Sequence, residues 1–289
     1  MRFAFIQSHA RIYHITTMCR VLEVSKAGYY AWRVRPLCQR VQDDAVLRQR
    51  IRRIYAAVKG RYGSPRVRQE LRALGLPCGK HRVARLMRAE GLRAKRPARF
   101  RVTTQSTHGY APAPNVLHRD FAVASQPTVP VWMADITYVP TQEGWLYLAV
   151  ILERASRRVV GWALRSHLGQ ELTLSALQMA LQHQRPARGL HHSDRGIQYA
   201  SHAYRRCLED AGFQTSMSRR GDCWDNAVVE SFFATLTKEL LVDGIFPTHA
   251  AARQALFEFI EIWYNRQRRH SALAYRTPVE FQAALHQAS

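Results

Sequence analysis

The chain has 289 residues, 47% of them hydrophobic, and is long enough for two or three domains with packed cores. It carries 43 Lys and Arg against 21 Asp and Glu, a formal net charge of +22, which indicates a polyanionic partner rather than only a basic surface. The five cysteines include no Cys-x-x-Cys pair, which excludes a zinc finger and a disulfide framework. The longest apolar run, 145–152, is too short to span a bilayer. The composition therefore favours a cytoplasmic protein.

The positive charge is concentrated in the first part of the chain. Residues 1–120 hold 26 Lys and Arg against 6 Asp and Glu, whereas residues 121–289 hold 17 against 15. This asymmetry predicts a region that grips nucleic acid, followed by a region with a different task.

Short helices are predicted throughout the first hundred residues. Residues 1–42 are expected to form a short helical region, in which 16–33 is compatible with a helix-turn-helix, a weak signal because many helical hairpins share its pattern. Residues 43–100 are predicted to form a basic helical DNA-binding domain with three helices. Its first helix, 43–58, begins with two aspartates that suit the positive end of a helix dipole, and Val46 opens its apolar stripe.

The last helix of this domain, HRVARLMRAEG, carries closely spaced arginines around an apolar stripe. Arg82, Arg85 and Arg88 are therefore candidate DNA contacts. A generic three-helix bundle with solvated arginines is the alternative, and the charge of the region favours DNA.

The second half of the chain has the pattern of an α/β domain. Residues 101–127, rich in Pro, Thr and Ser, are predicted to be a linker. Residues 128–245 give the order β-β-β-α-β-α-β-α, with three strands in an antiparallel meander. That order predicts a ribonuclease-H-like α/β fold with a mixed sheet. Residues 246–289 are expected to be a helical extension.

The extension contains a basic cluster at the end of an amphipathic helix. Arg266, Arg268 and Arg269 are candidate DNA contacts, with a solvated helix end as the alternative.

Three acidic residues stand out in the α/β region. Asp135 lies in the middle of the predicted strand VWMADITYV, where a carboxylate is costly to desolvate unless a cation meets it. Asp194 ends the short strand LHHSD, and Glu230 lies in the first turns of a helix beside an apolar face. Singly, each could be structural: a buried ion pair, a helix cap or a solvated position. The spacings, 59 residues and then 36, favour a single site. His191 and His192 read as strand residues rather than as metal ligands.

The segments WMADITY, HSDRGIQY and DNAVVESFF resemble the Asp-Asp-Glu catalytic core shared by retroviral integrases and many bacterial transposases. The segments YGSPRVRQELRALG, RVARLMRAEGL, EGWLYLAVILERASRRVVGWA and YNRQRRHSALAYRTPVEF are similar to the second-frame product of insertion-sequence transposases of the IS-three family. The resemblance covers almost the whole chain. It implies a DNA transposase that cleaves at insertion-sequence ends and transfers the freed 3′-OH to another strand.

The same resemblance implies a cofactor and partners. Asp135, Asp194 and Glu230 would bind two Mg²⁺ ions, for which Mn²⁺ can substitute, since both cations accept hard oxygen ligands. The implied partners are transposon ends and target DNA, an upstream first-frame product or its frameshift fusion, and further copies of this chain on DNA. No membrane partner is implied, and the expected place of action is the nucleoid of a bacterial cytoplasm.

Two positions depart from the family pattern. Glu153 stands where an Asp is usual, at a position that is not one of the three metal ligands. Thr237 stands where the family carries Lys or Arg, two helical turns after Glu230, so the DNA contact is either kept by Lys238 or weakened. The alternative functions are a catalytically impaired DNA-binding regulator of transposition and a structure-selective nuclease of the same fold.

Overall fold

The computed structural model describes residues 1–35, 38–95, 129–184, 186–194, 196–218 and 227–287. Its first part consists of helices: α1 (Arg2–His9), α2 (Ile15–Val21), α3 (Lys26–Val34), α4 (Gln39–Ala57), α5 (Ser64–Ala73) and α6 (Lys80–Ala89). Its second part contains five strands: β1 (Val131–Thr141), β2 (Gly144–Glu153), β3 (Val159–Arg165), β4 (Gly189–Ser193) and β5 (Phe213–Met217). Six further helices accompany the strands: α7 (Gln170–His183), α8 (Ile197–Ala200), α9 (His202–Asp210), α10 (Ala227–Glu239), α11 (His249–Phe257) and α12 (Pro278–Gln287). The predicted linker 101–127 lies outside the described residues.

The first three helices have a small core of their own, made by Ile6, Met18, Cys19 and Tyr29. Ser25 caps α3, because its Oγ accepts the Gly28 backbone N–H at 2.9 Å. Two short helices therefore flank a serine turn, as the sequence predicted.

Helix α4 begins earlier than the sequence indicated. It starts at Gln39, so Asp44 lies in its second turn instead of at the positive end of the helix dipole. Asp44 is buried and accepts Arg82 Nε at 2.8 Å and Arg85 Nη2 at 2.6 Å. The apolar stripe begins one residue later than predicted, because Leu47 is buried and Val46 is exposed, whereas Ile51, Ile54 and Val58 are buried. The two arginine partners show that the Asp44 side of α4 faces α6, which places Leu47 rather than Val46 on the packed side.

Helices α5 and α6 end where the sequence places glycines. Gly75 and Gly91 follow them with φ of +73° and +69°, the left-handed conformation that favours glycine at a helix end. Val83, Leu86 and Met87 on α6 are buried, as expected.

The five strands form one mixed sheet in the order β3-β2-β1-β4-β5. Strands β1, β2 and β3 are an antiparallel meander, and β4 and β5 run parallel to β1. This is the ribonuclease-H-like arrangement that the order of elements predicted.

Helices cover both faces of the sheet. One face, with Trp132 and Ala134 of β1, packs against α7, α8 and α9. Gly161 of β3 lets α7 come close, since a Cβ there would lie 2.2 Å from the Ala176 carbonyl oxygen. The other face, with Met133 and Val139, packs against α10 and α11. Alternation along β1 therefore places Asp135 on the α10 side.

The C-terminal extension joins the helical region to the catalytic core. Helix α11 continues as a π-helical stretch, Glu258–Gln267, in which Ile260, Trp263 and Tyr264 are buried, as expected. The Tyr62 ring packs against Trp263 with ring centroids 5.3 Å apart, and the Arg269 backbone N–H donates to the Tyr62 hydroxyl at 2.8 Å. In the ranges that the structure describes, no helix is both long enough and apolar enough to cross a bilayer.

Candidate active site

The register of the sheet sets Asp135 beside Asp194. Strands β1 and β4 pair in parallel from Val131–Leu190 to Ala134–Ser193, a constant offset of 59 residues. Asp135 and Asp194 differ by the same 59 residues, so they occupy the next pair of positions, where the ladder ends and the strands diverge. Adjacent strands lie about 4.8 Å apart, and residues in register point to the same face. The two carboxylates thus share one edge of the sheet and one face.

Local backbone groups orient both carboxylates. The Ile136 N–H donates to Asp135 Oδ1 at 2.8 Å, and the Gly196 N–H donates to Asp194 Oδ1 at 2.9 Å. Gly196 also leaves the space that Asp194 uses, because a Cβ at this position would lie 2.9 Å from Asp194 Oδ1.

Glu230 approaches from the helix that covers this face. It lies in the first turn of α10 and is exposed, while Val228, Val229 and Phe232 bury the helix against the sheet. Desolvation raises the pKa of the Glu230 carboxyl. The sheet-facing side chains thus fix the helix on the sheet, and Glu230 lies at the margin of the packed face.

Burial and neighbouring charges both affect the pKa of the Asp135 carboxyl. Burial, followed by the charges of Asp194 and Glu230, raises the pKa of the Asp135 carboxyl to about 8, against the lowering effect of the Ile136 N–H. The charges of the other two predicted acids, Asp194 and Glu230, therefore act on the Asp135 carboxyl. In the part of the chain that the structure describes, no three His, Cys, Asp or Glu side chains stand close enough to hold a metal ion.

The neighbouring histidines have structural partners. His191 is buried and hydrogen-bonded through Nε2 to the Tyr204 hydroxyl at 2.9 Å, and burial lowers its pKa to about 3. His192 is buried between Ser216 and Ser218, whose Oγ atoms lie 2.9 and 3.1 Å from its ring nitrogens. Both side chains lie within β4 and serve the packing of the strand.

The predicted DNA contacts on α6 are only partly free. Arg82 and Arg85 hold Asp44, yet their side chains remain 31% and 49% exposed, and Arg88 is exposed. Together with Arg40 of α4, Arg82 and Arg85 border a groove between α4 and α6. A basic groove of this kind can accept a phosphate backbone, with Asp44 fixing the arginines that line it.

The C-terminal basic cluster separates into exposed and structural members. Arg266 is exposed, and Lys238 on α10 is exposed beside Thr237. Arg269 is half-buried and donates to Glu70 Oε1 at 2.6 Å. Arg268 is buried and donates from Nε to the carboxylate of Glu239 at 3.0 Å, so burial favours a structural role over DNA contact.

Glu239 is a residue that sequence reasoning missed. It ends α10, is 2% exposed, and accepts the Trp263 Nε1–H at 2.9 Å in addition to Arg268. Arg61 donates to its backbone carbonyl at 3.2 Å, and Arg66 lies 3.9 Å from its carboxylate. The sequence signal for this role was an acidic residue on the apolar side of α10. Its partners could not be identified because they are distant in sequence.

Glu153, the departure from the family pattern in β2, has a structural role. Its buried carboxylate accepts the backbone N–H groups of Ala155 and Ser156 at 2.9 and 2.7 Å and caps the turn that leads to β3.

Family models match most of the chain. An HTH-like domain matches residues 42–100, and two models of the integrase core domain match residues 129–223 and 211–278. The fold is that of the integrase-core class, behind a helix-turn-helix-like region.

Relatives match nearly the full length. The chain is 45% identical over 273 residues to the insertion element IS600 uncharacterized 31 kDa protein of Shigella sonnei, covering 93% of this chain and 99% of that one. It is 40% identical over 290 residues to transposase InsF for insertion sequence IS3A of Escherichia coli K12, covering 98% of each. The chain belongs to the IS-three family of insertion-sequence transposases.

Among solved structures, a simian T-cell lymphotropic virus intasome aligns with a TM-score of 0.45 and 16% identity over 74% of this chain and 69% of that chain. The HTLV-2 integrase catalytic core domain in complex with magnesium aligns with a TM-score of 0.40 and 18% identity over 54% and 99%.

Proposed function

We propose that this chain cleaves DNA at the ends of its insertion sequence and transfers the freed 3′-OH to a second strand, with Asp135, Asp194 and Glu230 as the catalytic residues. The observation that carries the proposal is the strand register, which sets two aspartates side by side at the diverging edge of β1 and β4. Glu230 lies in the first turn of α10, and its charge contributes to the raised pKa of Asp135. A rigid strand and a packed helix are suitable supports for groups that must be preorganised.

The donor chemistry fits a hard divalent cation. All three side chains supply carboxylate oxygens, and the nearby histidine nitrogens are occupied by Tyr204, Ser216 and Ser218. The raised pKa of Asp135 marks a concentration of negative charge that a cation would relieve. We propose that Asp135 and Asp194 with Glu230 hold two Mg²⁺ ions, which Mn²⁺ can replace. When bound, these ions would supply the charge that activates the attacking oxygen and stabilises the leaving oxygen.

Besides the three acids, the proposed function needs basic side chains that bind DNA. In this proposal the groove between α4 and α6 binds the phosphate backbone of a transposon end through the outer faces of Arg82 and Arg85, and the exposed Arg88 of α6 is a further contact outside the groove. Lys238 and Arg266 are exposed, and in this proposal they would contact the DNA. Arg269 would act mainly by fixing the helical region through Glu70.

Assembly and partners are part of the same proposal. We expect several copies of the chain to act together on two transposon ends and a target, with the first-frame product or its frameshift fusion supplying further end recognition. The place of action would be the bacterial nucleoid.

The test is a strand-cleavage and joining assay on the element's own end DNA, with Mg²⁺ or Mn²⁺. Asp135→Asn and Glu230→Gln should abolish both reactions, whereas Glu209→Gln, an exposed glutamate on α9, should leave them unchanged. Activity that survives in both catalytic variants would contradict the proposal. If every form binds DNA but none cleaves it, the assay is repeated with the fused protein. A fused protein that also binds without cleaving would identify a regulator. Cleavage of branched DNA without regard to the end sequence would identify a nuclease.

A further inference from the structure

The first 35 residues form a small basic unit whose core is separate from that of α4, α5 and α6. They hold six Lys and Arg against one acidic residue, Glu23. All six basic side chains are exposed. The unit lies outside the groove between α4 and α6, which is lined by residues of those two helices. Its charge suits a polyanion that this groove alone does not account for.

Helices α2 and α3 are joined as in a helix-turn-helix. Residues 22–25 connect them, and Glu23 has a φ of +52° there, the left-handed conformation that glycine often supplies in such a turn. The Val24 N–H donates to the Cys19 carbonyl at 3.0 Å and ends α2, and the Ser25 side chain caps α3. DNA-binding proteins with this motif place the second helix in the major groove.

Helix α3 has an exposed face that fits such a groove. Lys26, Tyr30 and Arg33 are spaced at i, i+4 and i+7 and therefore lie on one side of the helix. All three are exposed, and the Arg33 guanidinium lies 6.0 Å from the centroid of the Tyr30 ring. Ala27 and Ala31 are exposed beside this stripe, and their small side chains let the helix approach the edges of base pairs.

The start of α2 and the loop before it extend this surface. Arg11, His14 and Thr16 line one hollow together with Lys26 and Tyr30. Arg and Thr side chains commonly donate hydrogen bonds to phosphate oxygens. In a bound helix-turn-helix, the first helix crosses the DNA backbone while the N-terminal residues of the second helix contact base edges. The hollow therefore places side chains suited to phosphate next to side chains suited to bases.

We propose that residues 1–35 are a second DNA-binding unit, in which α3 enters the major groove of the insertion-sequence end and Lys26 and Tyr30 contact base edges. The inference rests on the proposed function, because it takes the end of the insertion sequence as the DNA that is recognised. The groove between α4 and α6 would then hold the phosphate backbone, while α3 distinguishes the sequence. The exposed Ile12 and Val34 would also suit a protein partner, but the six-to-one excess of basic residues favours DNA.

The experiment measures the Kd of the full chain for its own end DNA and for a scrambled duplex of the same length and base composition, in EDTA so that no strand is cut. Lys26→Ala should weaken binding to the end about fivefold or more. It should weaken binding to the scrambled duplex less, because a base contact adds affinity only for the right sequence. Arg253→Ala removes the same charge from an exposed position on α11 and should leave both Kd values unchanged.

Methylation protection by dimethyl sulfate gives a second measurement, because guanine N7 faces the major groove. The wild type should protect guanines within the end, and Lys26→Ala and Tyr30→Ala should each lose part of that protection. Arg88→Ala should keep this part, because Arg88 is expected to contact phosphates. Both α3 variants should unfold at the wild-type Tm, since both side chains are exposed.

Unchanged Kd values and an unchanged protection pattern in both α3 variants would overturn the inference. Variants that bind the end like the wild type but sediment as smaller oligomers would also overturn it, because the unit would then be a protein interface. A wild type without preference for its own end would do the same. Protection that depends on Lys26, in a chain that cuts no DNA, would refute only the catalytic proposal.

Discussion

Replacing Asp135 with asparagine should stabilise the metal-free protein at alkaline pH while abolishing catalysis. The substitution keeps the shape of the side chain and removes a charge that the site disfavours. Burial and the neighbouring carboxylates raise the pKa of Asp135 from 3.8 to about 8. The folded state therefore binds this proton more tightly than the unfolded state does, and stability falls as pH rises from about 4 to about 8.

The magnitude follows from the linkage relation. Each pKa unit corresponds to about 1.4 kcal/mol, so the interval from pH 5 to pH 8 sets an upper limit of about 4 kcal/mol. Water at the open edge of the sheet screens part of this, and we expect about 2 kcal/mol. For a chain of this size that is a Tm difference of about 4 °C. The gain from Asp135→Asn should thus be about 4 °C larger at pH 8 than at pH 5.

Thermal unfolding in EDTA at the two pH values measures this difference. Asp210→Asn is the matched control, because Asp210 is an exposed aspartate at the end of α9. Adding Mg²⁺ at pH 8 should raise the Tm of the wild type and leave Asp135→Asn unchanged. The reasoning would be refuted by an equal gain at both pH values, or by a loss of stability at pH 8.

Three further outcomes are expected. Glu239→Gln should lower the free energy of unfolding by about 3 kcal/mol in denaturant titrations, because it leaves Arg268 buried without a counter-charge; a loss below about 1 kcal/mol would contradict the buried-pair account. Gly196→Ala should cost little stability but reduce strand cleavage about tenfold or more, because the added Cβ displaces the Asp194 carboxylate; wild-type cleavage would show that this carboxylate tolerates displacement. Arg88→Ala should weaken DNA binding across sequences and reduce the salt slope by about 1 in a filter-binding series; an unchanged slope would remove Arg88 from the phosphate contacts.

The proximity of Asp135 and Asp194 could be predicted from sequence because it depends on the pairing of only two strands. Asp135 and Asp194 each lie on a short apolar run, and their 59-residue separation equals the register offset of β1 and β4. Strand pairing therefore fixes their proximity without any help from distant parts of the chain. The order of the strands and the position of Glu230 at the start of α10 follow from the same apolar patterns.

Long-range ion pairs could not be predicted in this way. Asp44 looked like a dipole-stabilising residue because its partners, Arg82 and Arg85, lie 38 and 41 residues away. Arg268 looked like a DNA contact for the same reason, since its partner Glu239 lies 29 residues earlier. Charged residues on an amphipathic helix have the same pattern in sequence whether they meet solvent, DNA or a buried counter-charge, and only the packing of distant elements distinguishes these cases.

The junction at Glu239 constrains how such chains can be recombined. Helix α10 is a rod of 13 residues, about 20 Å long, with Glu230 at one end and Glu239 at the other. At the Glu239 end, Arg61 and Arg66 of the helical region and Arg268 of the extension all contact Glu239. A chimera that takes its DNA-binding half from one element and its catalytic half from another would therefore disrupt the contacts of Glu239 with these arginines. Exchange between elements should succeed only when residues 61–70 and 263–270 travel together.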